Sequence, residues 1–530
     1  MKRWMAFLLM GAMLCPLLGL PAAGVADTLA AAPLMEQSGA TDGMIRVWLS
    51  SVKSKMTYNV TIDGDYTING DTSRVVEDGS RIRVEFSGGT VYLTQNGQRV
   101  SMGSGFTLKR HSGGDGYNAV KIAETLAPNN YYPCDVQFLY SGGTAYVVCH
   151  IYIEDYVYGV LPYEMDNSFP LEALKAQAVA ARTYAVRAKT SSGVYDVTDT
   201  TTHQVFRGVN YDKTRCIQAV NETWGVVMQY NGSYIGAYYS ASNGGQTETN
   251  SNIWGSSQLG YLQVKDDPYD LANTASTVKT YLIYSSPQNG SSISAYAMIQ
   301  SALASRLGGS SSDYTIREIT DISLHTPMYP EPSKLYTQMR VSVRYNDGAT
   351  ASVDIPIFPT VETKLNLKIN GGDNELYSVE KQTKGFLVSA RRYGHGVGMS
   401  QRGAQEMANV GYNYAQILGF YYTGVNRVRI NFTRSIAGSL QNGTVLPEVT
   451  PAPVEDAVGI VQATPATVTL SNTSDRLNLR KEPNTSSAVL ARIPHGTQLT
   501  VTSSENGWYA VQYGSLSGYV ASQYLRLDTQ

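Results

Sequence analysis

Between residues 44 and 152 apolar and polar positions alternate in short runs, the period of half-buried strands. The runs 45–49, 57–62, 81–86, 90–94 and 118–122 fit it, and 143–152 resumes it. Asp63-Gly64 and Asn96-Gly97 read as hairpin turns. The period then changes. Leu171, Leu174, Ala178, Ala181 and Ala185 recur at three and four, which predicts one face of a helix. Pro170 suits its first turn and Ser191-Ser192-Gly193 its end. Alanine fills most remaining positions, so the helix is expected to pack closely on several sides. Further along, 219–224 reads as a helix end, 234–242 as an apolar strand, 294–307 as a helix, and 338–345 and 386–393 as strands. Ser400 can cap a helix through Met407, and 412–424 holds an amphipathic one. The stretch 444–465 is rich in Pro, Val, Ala and Thr without periodicity, the mark of a semi-rigid linker. Beyond it, short alternating strands predict a small barrel. The fold class is therefore α+β with an all-β end. Its parts are a leader at 1–26, a main domain at 40–435 with an accessory part at 278–385, a linker at 436–465 and a barrel at 466–528.

Composition narrows the partners. A chain of 530 residues is too long for one core. Charged residues are 16% and the net charge is −2, which argues against nucleic acid or anionic membrane as the main partner. Polarity comes from Ser, Thr, Asn, Gly and 38 tyrosines. Such a surface suits hydrogen bonding and stacking on an uncharged polymer, and equally an extracellular setting. Lys2 and Arg3, an apolar run at 5–20, and Gly24 and Ala26 read as a secretory signal cleaved before Asp27. No later stretch is apolar enough to span a membrane, so a secreted or wall-associated protein is expected. Cys134, Cys149 and Cys216 remain after cleavage. A Cys134–Cys149 disulfide across the Ser141-Gly142-Gly143 turn, free thiols, and a Cys/His site with His150 and His203 all stay open. None has tight metal-ligand spacing, so no metal and no cofactor is expected. His111 stands alone and reads as a surface residue.

Two stretches carry candidate chemistry. Glu164 follows Val160-Leu161 and lies between Pro162, Tyr163 and Met165. Desolvation there would raise its pKa, as a general acid needs. The alternative is an acid favouring the N-terminus of the helix that follows. Gly394, Gly396 and Gly398 alternate around His395, which suggests amide groups left open to a ligand. Gln401 and Arg402 come next. Trp254 and Tyr261 are candidates for stacking on sugar faces, or for burial.

The residues Gly159-Val160, Glu164-Met165, Pro170 and 172–185, with GHGVGMSQRGAQEMA at 394–408, resemble the signature of the SpoIID/LytB family of sporulation and cell-wall proteins. The resemblance covers about 44–424. It implies a lytic transglycosylase acting on peptidoglycan glycan strands, with Glu164 as the catalytic acid. It implies that Asp199, Gln204, Phe206 and Gly208 line the cleft, with Gln204 on sugar hydroxyls; Glu248, in the matching 243–248 segment, is a second carboxylate candidate for orienting substrate or assisting proton transfer, or else a loop acid. His395, Gln401, Arg402 and Gly396 join the expected substrate-binding set. Residues 278–357 depart from the family pattern, so the accessory part is divergent. The final domain resembles bacterial SH3 domains, which implies binding to wall peptides or glycan. A glycosidase that uses water needs two carboxylates, whereas a lytic transglycosylase needs one acid/base and yields 1,6-anhydro-muramyl ends. The rival expectation is a non-catalytic wall-binding enhancer of an autolytic amidase, as the LytB branch is described.

Overall fold

A computed structural model describes residues 33–112, 117–287, 292–438, 440, 464–469, 476–483, 487, 489–505, 508–513 and 516–527. The leader at 1–26 and the linker residues 441–463 lie outside the described residues. The described chain forms two units, one within 33–440 and one at 464–527. None of its helices is long and apolar enough to cross a membrane.

In the first unit the alternating runs become two sheets, antiparallel except where Val197–Thr198 pairs in parallel with Met44–Trp48. A five-stranded sheet has the order Ala119–Ile122, Thr57–Asp63, Arg81–Ser87, Thr90–Gln95, Gln98–Ser101. A seven-stranded sheet runs Val197–Thr198, Met44–Trp48, Thr144–Tyr152, Cys134–Ser141, Gly105–Arg110, Tyr66–Ile68, Asp71–Val76. Their apolar faces meet where Tyr58, Phe86 and Phe138 lie 6.0–6.5 Å apart, ring centre to ring centre. Asn96-Gly97 is the expected tight turn, with φ of 51° and 78°. Asp63-Gly64 is not a hairpin: the strands it joins belong to different sheets.

One other expectation fails here, and one of the alternatives left open for the cysteines is met. His111 is 4% exposed, not a surface residue. Its Nε2 lies 2.8 Å from Thr67 Oγ1 and its Nδ1 2.8 Å from the Gly438 carbonyl, so both ring nitrogens have partners. The three cysteines are buried free thiols. Cys149 faces Val136 and Cys134 faces Ile151, so the two thiols sit on a diagonal of the ladder rather than opposite one another. Among the described residues no three His, Cys, Asp or Glu side chains cluster as metal ligands.

The strand Thr144–Tyr152 runs straight into the helix Ile153–Glu164, and a short turn leads to the helix Leu171–Ala188. Twelve of the latter's 18 residues are buried. Its small side chains let it touch Ile153–Glu164, the strand Val226–Tyr230 and the helices Gln401–Asn409 and Tyr414–Tyr421. Arg182 in its middle is fully buried against Glu154. Thr183 Oγ1 accepts from the Met228 N–H at 3.0 Å and fixes the neighbouring strand. Glu172 accepts from the Tyr414 N–H at 2.7 Å and caps another helix start.

The accessory part has its own core, with Ile283, Ile299, Leu303, Val341, Ile355 and Val388 among its buried residues. One sheet runs Val278–Tyr284, Gly385–Arg391, Leu376–Gln382, and a second runs Ile316–Pro327, Tyr336–Tyr345, Thr350–Pro356, with the helix Ile293–Leu307 against it. Of the strand expected at 234–242, Ser233–Tyr234 and Tyr239–Ser240 form short ladders and Ser242 bridges Tyr393. Tyr239–Ser240 pairs in parallel with Met399–Ser400 and so joins the two motif regions.

The second unit is a seven-stranded antiparallel sheet around Ala466, Leu477, Leu479, Ile493, Val501, Val511 and Val520. Its short strands and single apolar cluster are those of a small β-barrel.

Candidate active site

Glu164 is the last residue of the helix Ile153–Glu164, not the first acid of the helix after it. The expected N-terminal placement is therefore wrong. At a helix C-terminus the backbone dipole opposes a negative charge. Burial is the largest influence and raises the carboxyl above its usual range. Three uncharged donors act the other way: the Val205 N–H at 3.1 Å from Oε1, the Tyr239 hydroxyl and the Gln401 amide. The result is a partly exposed acid with a raised pKa, held by groups that carry no charge.

Tyr239 is the residue on which the site turns. Its hydroxyl accepts from Gln204 Nε2 at 3.0 Å, and Gln204 Oε1 accepts from the Tyr156 hydroxyl at 3.2 Å. Gln204 is 1% exposed with both ends of its amide engaged. It therefore reaches the site through Tyr239 and not through a free face. The backbone of Tyr239 faces the ring of His395. The two family motifs thus converge on one residue, Glu164 at its side chain and His395 at its main chain.

His395 Nδ1 accepts from the Val397 N–H at 3.0 Å, which leaves the ring proton on Nε2. Burial, with a smaller push from Arg392, lowers its pKa to about 4, so the ring is neutral near pH 7. Trp254 packs edge-on against it at 5.2 Å and against Tyr238 at 4.8 Å, yet stays 44% exposed. Tyr261 is buried, and its hydroxyl accepts from the Gly236 N–H at 2.7 Å.

Two of the three glycine amides in the run are not open to a ligand. Gly394 N–H donates to Asn370 Oδ1 at 3.0 Å and Gly396 N–H to Ser240 Oγ at 3.3 Å. Glycine is needed for room. Gly396 has φ +73°, and a Cβ there would stand 2.7 Å from Arg392 Nε. At Gly398 it would stand 2.1 Å from the Tyr238 carbonyl oxygen. Arg392 is fully buried at φ 94°, and its guanidinium donates to the carbonyls of Asn243, Gln246 and Asn374 at 2.9–3.1 Å. Burial lowers its pKa to about 10.

Of the remaining candidates Gln401 stays with Glu164 and the others spread out. Gln401 opens the helix Gln401–Asn409, 9% exposed, with Nε2 3.5 Å from Gln177 Oε1. Ser400 caps that helix by accepting from the Gly403 N–H at 3.0 Å. Arg402 stacks over Phe169 at 5.3 Å and donates to Gln405 at 2.9 Å within its own helix. Glu248 is fully buried behind the loop. Its carboxylate accepts from Asn252 at 2.8 Å and from Ser333, and its N–H donates to the Gly396 carbonyl at 2.8 Å. It pairs with the loop through its backbone, and its carboxylate is not among the groups that act on Glu164. Behind the same wall, Asp267 and Asp270 bind Asn243, Tyr421, Ser242 and Ser400. Burial and the neighbouring Asp270 raise Asp267 to about 6. Tyr239 and Arg392 escaped the sequence reading. A tyrosine in an apolar run and an arginine ending a strand carry no spacing signal of their own.

The fold and this constellation define an α+β scaffold that holds one partly exposed acid of raised pKa among uncharged donors, followed by a small barrel. The Stage II sporulation protein family model matches residues 141–230, and the bacterial SH3 domain model matches 475–526. The chain is 35% identical over 282 residues to the amidase enhancer of Bacillus subtilis, covering 50% of this chain and 39% of that protein. It is 30% identical over 425 residues to an uncharacterized protein of Brachyspira hyodysenteriae, covering 76% of this chain and 98% of that one. Against the stage II sporulation protein D of Bacillus subtilis it is 29% identical over 293 residues, covering 52% and 74%. The chain belongs to the SpoIID family and carries a C-terminal bacterial SH3 domain.

Proposed function

We propose that this protein is a peptidoglycan lytic transglycosylase in which Glu164 alone serves as general acid and base. The observation that carries this reading is the setting of Glu164: burial raises its pKa, and its ionisation is tuned by uncharged donors without a second carboxylate. In the reaction the Glu164 proton passes to the oxygen linking two sugars as the bond from that oxygen to muramic C1 breaks. The resulting carboxylate takes the proton from the C6 hydroxyl while O6 bonds to C1. The glycan ends as a 1,6-anhydro sugar on one side and a free hydroxyl on the other, and no water is consumed. Tyr156, Gln204 and Tyr239 position the acid. Neutral His395 accompanies Trp254, whose exposed ring offers a stacking face for a pyranose. The barrel at 464–527 tethers the enzyme to the wall, outside the cell or within the envelope.

A second reading, that the chain assists an amidase without cutting glycan itself, is favoured by its likeness to the amidase enhancer. One experiment separates the two. Purified glycan strands are incubated with the protein and with Glu164→Gln, and the products are weighed by mass spectrometry. Anhydro-muramyl ends from the native protein alone support the enzyme. Their absence from both, with faster peptide release when a wall amidase is added, supports the enhancer.

A further inference from the structure

The accessory part carries a groove of about 910 Å³ that the Glu164 site does not use. On one wall Met298, Ser301, Ala302 and Ser305 stand at i, i+3, i+4 and i+7 of the helix Ile293–Leu307, a single face. The other wall is five consecutive residues, 352–356, of the strand Thr350–Pro356. Successive strand side chains point to opposite faces, so a cavity bordered by five in a row runs along the strand's edge. The topology agrees: among the described residues Thr350–Pro356 is the outermost strand of its sheet.

The register says which backbone groups face the groove. Ser352 is opposite Ser342, with their hydroxyls 2.9 Å apart, the close approach of a pair that exchanges no backbone bonds. Arg306 reaches from the helix to donate to the Ser352 carbonyl. The N–H and C=O of Ser352, and by the two-residue period those of Asp354, therefore point outward. An edge with no strand beside it is a template for another strand, which would take the Ser352 carbonyl from Arg306. The groove is also cationic. Arg306, Arg340 and Lys364 line it against one acid, Asp354, which Arg340 holds at 2.7 Å. Arg306 and Lys364 make no ion pair among the described residues.

We infer that this groove receives an extended, carboxylate-rich segment of a partner protein by strand addition to Thr350–Pro356, with Arg306 and Lys364 meeting its carboxylates. A wall stem peptide fits less well. It mixes L and D residues, and D residues do not keep the backbone angles of an L strand. The inference stands apart from the chemistry at Glu164 and survives or fails without it.

The test uses the full chain and a fluorescein-labelled L-hexapeptide of alternating valine and glutamate with a free C-terminus. Fluorescence polarisation is expected to show saturable binding that weakens as salt rises. Hydrogen exchange is expected to slow at 350–356. Ser352→Pro removes an outward donor without a ladder bond, and Arg306→Glu reverses an exposed charge; each should weaken binding by ~5–10-fold, the value of about one hydrogen bond or ion pair. Unchanged melting curves show that both variants fold. No saturable binding at millimolar peptide overturns the inference. So does binding without protection at 350–356, or binding that both variants leave intact. Capture of a soluble stem pentapeptide while the L-hexapeptide fails to bind overturns it too.

Discussion

Arg182 and Glu154 face each other across the two motif helices with neither side chain exposed to solvent. Arg182 Nε donates to both carboxylate oxygens at 2.9 and 3.0 Å, and its two outer nitrogens also reach the carbonyls of Val226 and Val220. Glu154 accepts a further bond from the Gly225 N–H at 3.0 Å. The pair ties the two motif helices to each other, to Val220 of the helix Thr214–Glu222 and to the segment Gly225-Val226 that opens the strand Val226–Tyr230. Glu164 lies at the far end of the helix that Glu154 begins, so the pair sets where the acid stands.

Breaking the pair from one side should therefore destabilise the domain severely. Arg182→Met leaves a buried carboxylate alone, and a loss of about 3–5 kcal/mol is expected in chemical denaturation. The double change Arg182→Met with Glu154→Leu should recover much of that loss, since no charge is then buried unpaired. A double variant no more stable than Arg182→Met would show that the pair's backbone bonds, rather than its charges, matter most.

Glu164→Gln should lower glycan cleavage by ~100-fold to ~10,000-fold. It should also make the protein more stable at neutral and alkaline pH. The folded pKa of Glu164 is raised, mainly by burial, so the folded state holds a proton that the unfolded state has released. That contribution is complete below the unfolded value and is lost as pH rises through the folded one. The melting advantage of Glu164→Gln over the native protein should thus grow with pH and vanish near pH 4. Activity that needs the protonated acid should fall over the same rising limb. A variant that melts lower at every pH would contradict the burial argument.

The alternating strands, the alanine helix and the serine cap were legible because each depends on local period or on one capping residue. Residues 57–63 and 81–87 needed only the two-residue pattern. The position of Glu164 was not legible. Pro170 marked the helix that follows, and nothing in the local pattern announced the helix that begins at Ile153, carries Pro162 in its last turn and ends at Glu164. His111 was misread because its partners are Thr67 and Gly438, the latter 327 residues away. The convergence on Tyr239 was hidden for the same reason. It depends on a parallel pairing of Tyr239 with Met399 that no local pattern announces.

Gly396 tests what the glycine run is for. An alanine there must hold a left-handed φ and must also move Arg392, whose guanidinium is bonded to the carbonyls of Asn243, Gln246 and Asn374. A left-handed alanine costs about 1–2 kcal/mol before any shift of the arginine. Gly396→Ala should therefore lose at least that much stability, and glycan binding should fall only because less protein is folded. If the loop amides served the ligand instead, binding would drop with the melting temperature unchanged.

His395 gives a signal of the opposite sign to Glu164. Its folded pKa is depressed to about 4, so the folded ring resists a proton that the unfolded chain accepts at its ordinary value of 6.5. Between those two values the unfolded state binds more protons, and stability falls as pH falls. Replacing the ring by a group that does not titrate removes that loss. His395→Gln should accordingly narrow its stability deficit against the native protein as pH drops from 6.5 toward 4. The ring itself can be followed by carbon-detected NMR of labelled histidine, with His395→Gln assigning the signal. A midpoint near 4 is expected. A midpoint near 6.5 would mean that the ring is well solvated, and that the Val397 N–H and Trp254 do not shelter it in solution.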